Sequence, residues 1–435
     1  MKGNGSRFLD KQRGLLRSFA WQRWFGFGRR LSTWSLVIIA GSAFYFGLQS
    51  NAGAQVTIMY SFGSGTPRTQ GVQPEGGLVQ TPDGSFYGTT YSQYGNAGEE
   101  FPAGTIYRLD PTTGAVVFVE TFPNAGPHRQ PKSPLLPYNG GLLGVTYATN
   151  KRGGIIFYLN PSGTLDVWHT FGRSVNSIDG NSPFAPLVVG PQGDIFGLTR
   201  SGGTLGFGVA YKLNPKSKHV QILHNFPFKG PSSPDNLLLG KDGNFYAVAF
   251  SSAVPFVGYM FKMTPAGAVT ILYRFKNSSP DLTLMQAEDG TFYGTTGGNR
   301  LSGATYPYGS LFKMTGTPPN VMVTILHGFG QGNDGKYPVG PVVVGPNGNL
   351  YGETQEGGTG SDTGGDGILY EITTDGSTYT ILHNFKDGSI TNDGAFPAGG
   401  LTLGADNNFY GATSEGGAYG SGPFSGGGTL FRLTP

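Results

Sequence analysis

The chain has 435 residues, no cysteine, 75 glycines, 13% aromatic residues and a formal net charge of +3. Zero cysteines exclude disulfides and thiolate metal centres. The first 54 positions hold 8 of the 29 basic residues and one of the 26 acidic ones. The remainder therefore carries 21 against 25 and has no basic stripe, which excludes nucleic acid as a partner.

Residues 1–54 read as a targeting segment. Lys2, Arg7, Lys11, Arg13, Arg17, Arg23, Arg29 and Arg30 precede an apolar run from Trp34 to Leu48, and Ala52-Gly53-Ala54 offers the small residues that a signal peptidase reads. Two readings stand, a cleaved secretory signal or an uncleaved N-terminal anchor. The apolar run is shorter than the roughly 20 residues of a spanning helix, which favours the signal. Both readings place the protein outside the cytoplasm, secreted or in the periplasm and cell envelope.

From residue 55 onward one pattern repeats. Strand-like segments end in Phe62, Phe122, Phe171, Phe226, Phe275, Phe329 and Phe385, at intervals of 60, 49, 55, 49, 54 and 56 residues. A period near fifty that holds four short strands is the mark of a propeller blade, whose sheet buries its faces only against neighbouring sheets. The sixth unit is the clearest. "VGPVVVG" is an apolar inner strand and "PNG" a tight turn suited to type I′. "NLYGET" is the second strand, a Gly-rich loop leads to "ILYEITT", and "TYTILHNF" is the outermost strand. Corresponding turns stand at Asp83-Gly84, Asn139-Gly140, Gln192-Gly193, Asp242-Gly243, Asp289-Gly290 and Asp406-Asn407. The last unit, ending "GTLFRLTP", lacks its Phe strand, while Val56–Phe62 is such a strand with no block before it. The expectation is an all-β, seven-bladed propeller over residues 55–435 in which the N-terminal strand completes the last blade and removes the open edge. The Gly of "FYG" inside a strand marks close approach by a neighbour or a twist.

The block "DG-x-FYGTT…GG…GTLFKLTP…VTILHNF" resembles the GloVer tandem repeat of bacterial exported proteins, the choice-of-anchor proteins that end in different surface-attachment segments. The likeness covers about residues 56–435 and is weakest in the second unit, where "GLLGVT" stands for "FYGTT". It implies export and a propeller, and it brings no catalytic residues. No attachment segment follows Pro435, so surface attachment through one is not expected.

Candidate chemistry comes from the positions that depart from the repeat. His169, His224, His327 and His383 all lie two residues before a terminal Phe, so they stand in four different blades and read as a packing ring rather than a metal set. With strict alternation, Ile325, His327 and Phe329 share one face. At the start of the inner strands Pro74, Pro183, Pro280, Pro338 and Pro397 align, with Pro234 in the fourth unit. Glu75, Asp235 and Asp281 follow a proline and are expected near the channel mouth, either as solvated turn carboxylates or as a site able to hold Ca²⁺ or act as acid and base. No other cofactor is expected. The long connections carry aromatic residues, among them Tyr94, Phe101, Phe207, Phe256, Tyr306, Tyr308, Tyr419 and Phe424, on what reads as the working face. Two functions fit. The first is a monomeric binding or scaffolding module for a polysaccharide or envelope protein. The second is a carboxylate- or metal-dependent lyase, glycosidase or lactonase with its site at the channel mouth.

Overall fold

The structure, a computed structural model, describes residues 53–63, 71–93, 104–123, 130–147, 153–172, 177–251, 257–276, 283–298, 305–316, 320–360, 364–419 and 426–435. The leader call, residues 1–54, lies almost wholly outside them. Among the described residues there is no helix, and the strands form seven antiparallel sheets, six of four strands and one whose innermost strand is split in two. Each sheet is one blade, and in blades 1 to 6 the strands run in chain order from the innermost outward. Blade 1 begins at Gly71–Gln80, blade 2 at Leu136–Tyr138, blade 3 at Asn181–Pro183, blade 4 at Leu237–Leu239, blade 5 at Thr283–Gln286, blade 6 at Gly335–Val344 and blade 7 at Gly394–Leu403.

Blade 7 takes its outermost strand from the beginning of the chain. Gln55–Ser61 runs antiparallel to Thr429–Thr434, with Gln55 opposite Thr434 and Ser61 opposite Thr429, and the Phe62 amide donates to the Gly428 carbonyl at 2.9 Å. Blades 7 and 1 then meet directly, through Thr402 Oγ1 donating to the Leu78 carbonyl at 2.7 Å and the Ala405 amide to Gln80 Oε1 at 2.9 Å. The N-terminal strand thus covers the Thr429–Thr434 edge, which would otherwise be the open edge of a three-stranded blade.

The terminal Phe of every blade is buried and packs on an aromatic residue in the third strand of the next. The seven pairs are Phe62–Tyr107, Phe122–Phe157, Phe171–Tyr211, Phe226–Phe261, Phe275–Phe312, Phe329–Tyr370 and Phe385–Phe431, with ring centroids from 4.9 to 5.4 Å apart. Edge-on and tilted pairs of this kind contribute about 0.5–1.5 kcal/mol beyond area burial. The same rings explain the strand glycine. A Cβ at Gly88 would stand 2.3 Å from the Tyr107 hydroxyl, so the neighbour that demands glycine is the ring lying across it from the adjacent strand of the same blade.

Two local expectations are corrected. The turn at Asn347-Gly348 is not type I′: only Gly348 has positive φ, with the Gly345 amide bonded to Asn349 O and the Gly348 amide to Gly345 O, a type I turn closed by a left-handed glycine. Only Asn139-Gly140, joining strands that are two residues apart, has both φ values positive. Strict alternation along the outermost strand also fails. The register shifts between Leu311/Phe312 opposite Ile325/His327, so Leu326 is bulged. Ile325 packs toward blade 4, whereas Leu326, His327 and Phe329 all face blade 6. Corresponding shifts occur in the other six blades.

Candidate functional site

The start of the inner strand is held by main-chain atoms in five of the described blades. Gln73, Gln130, Ser182, Ser233, Tyr337 and Phe396, each the residue before an aligned proline, all have φ between 45° and 59°. A left-handed non-glycine residue costs about 1–2 kcal/mol, and here a hydrogen bond across the blade boundary offsets it. The amides of Gln73, Ser182, Ser233, Tyr337 and Phe396 donate to carbonyls of the preceding blade at Gly427, Gly153, Phe207, Tyr308 and Asp366, all at 2.8–2.9 Å. The proline then seats against a glycine of that blade: a Cβ at Gly428 would lie 2.8 Å from Pro74 Cδ.

The residue after each described proline is half-buried at the start of its inner strand. The described ones are Glu75, Lys132, Phe184, Asp235, Val339 and Ala398 in blades 1, 2, 3, 4, 6 and 7; Asp281 lies outside the described residues. Lys132 Nζ is 2.6 Å from the Glu75 carboxylate and 4.1 Å from the centre of the Tyr91 ring. The Arg200 guanidinium lies 3.4 Å from the centre of the Phe184 ring and donates to Asp235. Phe184 meets Tyr147 edge-on at 5.4 Å, and Ser133 Oγ donates to the Phe184 carbonyl. Blades 1 to 4 thus present an arc of alternating rings and ion pairs. Its charged side chains are 14–28% exposed, held in place yet open to a ligand. Gly77, Gly340, Gly399 and Gly400 bring the inner strands of blades 6, 7 and 1 into backbone contact.

A pairing of Asp235 with Asp281 falls outside the described residues, whereas the partners of Glu75 and Asp235 are described. Each is paired with a cation from a neighbouring blade. Lys132 escaped notice because the second unit is degraded, although Gln130-Pro131-Lys132 aligns with Gln73-Pro74-Glu75. Arg200 occupies a second-strand position held by Tyr91, Tyr147 and Phe250 in other blades.

The four histidines occupy four blades, each ring edge-on to its Phe at 4.7–4.9 Å. Three reach the acid of the following inter-blade "DG": His169 to Asp179 at 3.1 Å, His327 to Asp334 at 2.8 Å and His383 to Asp393 at 3.1 Å. Those acids read from sequence as plain turn residues. His327 also stacks flat on Tyr379, at 3.9 Å and 4°. Burial alone would raise the Asp334 carboxyl, but its hydrogen bonds with His327 and the Gly335 amide help hold it below the usual range; Asp179 is lowered in the same way by His169 and the Gly172 amide. The loop after His224 has no acid, and burial lowers that imidazole.

The tyrosine candidates lie away from the arc. Tyr306 and Tyr308 cover the backbone at Gly328 and Gly330, with Tyr308 edge-on to Tyr337 at 5.8 Å. Tyr419, on blade 7, sits beside Gly63. Among the described residues no three His, Asp or Glu side chains converge as a metal centre requires.

Residues 173–315 and 285–435 match the profile of the Gloeobacter/Verrucomicrobia repeat. The chain belongs to the Gloeobacter/Verrucomicrobia repeat family. No curated protein matches the sequence. Among solved structures, this Gloeobacter/Verrucomicrobia repeat protein is similar to the extracellular domain of a protein assigned as a hybrid two-component system from B. thetaiotaomicron. That likeness has 10% identity and a TM-score of 0.53, over 88% of this chain and 42% of that one. It is also similar to the periplasmic gluconolactonase of Pseudomonas aeruginosa, at 15% identity and TM-score 0.49, over 74% and 87%. A protein assigned as a 6-phosphogluconolactonase from Bacteroides uniformis gives 15% and 0.47, over 76% and 95%. At these identities the likeness is one of fold.

One further residue of the Gloeobacter/Verrucomicrobia repeat departs from its pattern without reaching the mouth. Glu353 stands where other blades have Thr89, Val145, Leu198, Val248, Thr295 and Ala412. It is 1% exposed. One carboxylate oxygen accepts from the Gly400 amide at 2.9 Å and the other has no partner. Burial pushes its carboxyl up to about 8 against that single hydrogen bond.

Proposed function

We propose that the protein is an exported cell-envelope binding module that takes a polysaccharide at the channel mouth, on the arc formed by Glu75, Tyr91, Lys132, Tyr147, Phe184, Arg200 and Asp235. The observation that carries this reading is the arrangement of residues that break the repeat. They gather on four adjacent blades and alternate ring faces with ion pairs. Sugar rings offer apolar C–H faces to aromatic side chains and hydroxyl edges to charged ones, so the alternation suits them. Export rests on the basic leader and the small residues before Gln55. Of the three carboxylates on which the enzyme reading rests, Glu75 and Asp235 are each bound to a cation and Asp281 lies outside the described residues.

The test is Lys132→Ala combined with Arg200→Ala, titrated calorimetrically with purified bacterial envelope polysaccharide. Loss of binding with near-UV circular dichroism unchanged is expected. Undiminished binding in the double variant, or multiple turnover of a lactone or glycan by the native protein, would reject the proposal.

A further inference from the structure

We propose that the arc continues outward along blade 3 as one track, and that the ligand is an extended glycan chain lying along it rather than a terminal sugar; this rests on the reading of the arc given above. The track is a run of consecutive contacts. Phe184 carries Arg200, Arg200 holds Asp235, and two residues before Asp235 the Ser233 amide donates to the Phe207 carbonyl at 2.9 Å. The Phe207 ring meets Phe228 at 5.0 Å; Phe228 is 45% exposed, and Leu205, two residues before Phe207, is 51% exposed.

The loop that displays Leu205 and Phe207 is closed on itself. The Gly206 amide donates to Gly203 O at 3.2 Å, Gly208 to Gly202 O at 3.0 Å and Gly203 to Ser177 O at 2.7 Å, while Thr204 is bonded to Asn225 Oδ1 at 2.8 Å. Large apolar groups on a loop so constrained are already ordered before any ligand arrives, which favours binding. Blade 6 repeats the frame, with Gly357-Gly358-Thr359 and the Thr359 amide on Asn384 Oδ1 at 3.1 Å, but it has Gly360 where blade 3 has Leu205. Blade 3 thus combines an apolar loop tip with Phe184 and Arg200. Ring, ion pair and ring in one line match a polymer whose units each present an apolar face and a hydroxyl edge.

The experiment is calorimetric titration of the protein with cello-, chito- and galacturonide ladders from disaccharide to hexasaccharide. Affinity for one ladder should climb about tenfold with length, one ring-stacking increment. Phe207→Ala with Phe228→Ala should abolish that climb while disaccharide affinity holds, and Arg200→Ala should weaken both lengths. Equal affinity across lengths overturns the track and spares the arc. No binding to any ladder overturns both. If the double Phe variant changes self-association in ultracentrifugation while hexasaccharide affinity holds, the track is overturned in favour of a protein contact.

Discussion

Phe62 and Tyr107 meet edge-on across the seam that closes the ring, their centroids 5.3 Å apart and their planes at 64°. The contact repeats the one at the other six blade boundaries, yet here one partner lies at the start of the propeller. Phe62→Ala should cost about 3–5 kcal/mol, as for other fully buried aromatics. Removal of Val56–Phe62 should go further, exposing the Thr429–Thr434 edge and promoting association. Urea denaturation and sedimentation check both; an unchanged midpoint in a monomeric deletion variant would refute the closure argument.

The hydroxyls of Tyr107, Tyr211 and Tyr370 are buried without partners, where four other blades place phenylalanine. Burial raises all three phenols. Tyr107→Phe and Tyr211→Phe remove an unsatisfied polar atom and should be neutral or stabilising by about 1 kcal/mol. Gly88→Ala should do the reverse, by about 1–3 kcal/mol of overpacking, since its Cβ would meet the Tyr107 ring. Equilibrium unfolding of the three variants gives the comparison.

Asp179 and Asp334 have folded pKa values below their unfolded 3.8. Their stability contribution is therefore complete above the unfolded value and is lost as pH falls through the folded one. Asp334→Asn should lower the melting temperature at neutral pH and converge on the native protein at the acid end. Equal differences at pH 7 and pH 2 would show that the His327 pair contributes nothing through ionisation.

Glu353 has the opposite sign. Its carboxyl moves from 4.5 to about 8 on folding, so stability is highest below the unfolded value and falls as pH rises toward the folded one, by up to about 1.4 kcal/mol per pH unit. Glu353→Gln keeps an acceptor for the Gly400 amide and cannot ionise. It should exceed the native protein in stability most clearly at pH 9, with the gap narrowing toward pH 5; a gap independent of pH would refute the assignment.

The blade number and the ring closure were legible because both rest on a Phe that recurs at every boundary. The mouth was legible only in part. Glu75 and Asp235 stood out after prolines, but their partners come from neighbouring blades: Lys132 from the most degraded unit, and Arg200 from a strand position that shows no repeat. The acids of Asp179, Asp334 and Asp393 were hidden by the glycine after each, which makes turn chemistry a sufficient account. Glu353 was hidden by its frame, since "GET" differs from "GTT" by one residue. The outward run to Phe228 depends on a Ser233–Phe207 backbone bond that no spacing foretells.

The left-handed residue before each of the six described prolines has a consequence for how such a surface can change. Because amides and carbonyls set the geometry at five described boundaries, the side chain after the proline is not what fixes the strand's entry. Glutamate, lysine, phenylalanine, aspartate, valine and alanine all occupy that socket in one molecule. The mouth can thus be rewritten one blade at a time, with a new specificity requiring only point substitutions on an unaltered scaffold.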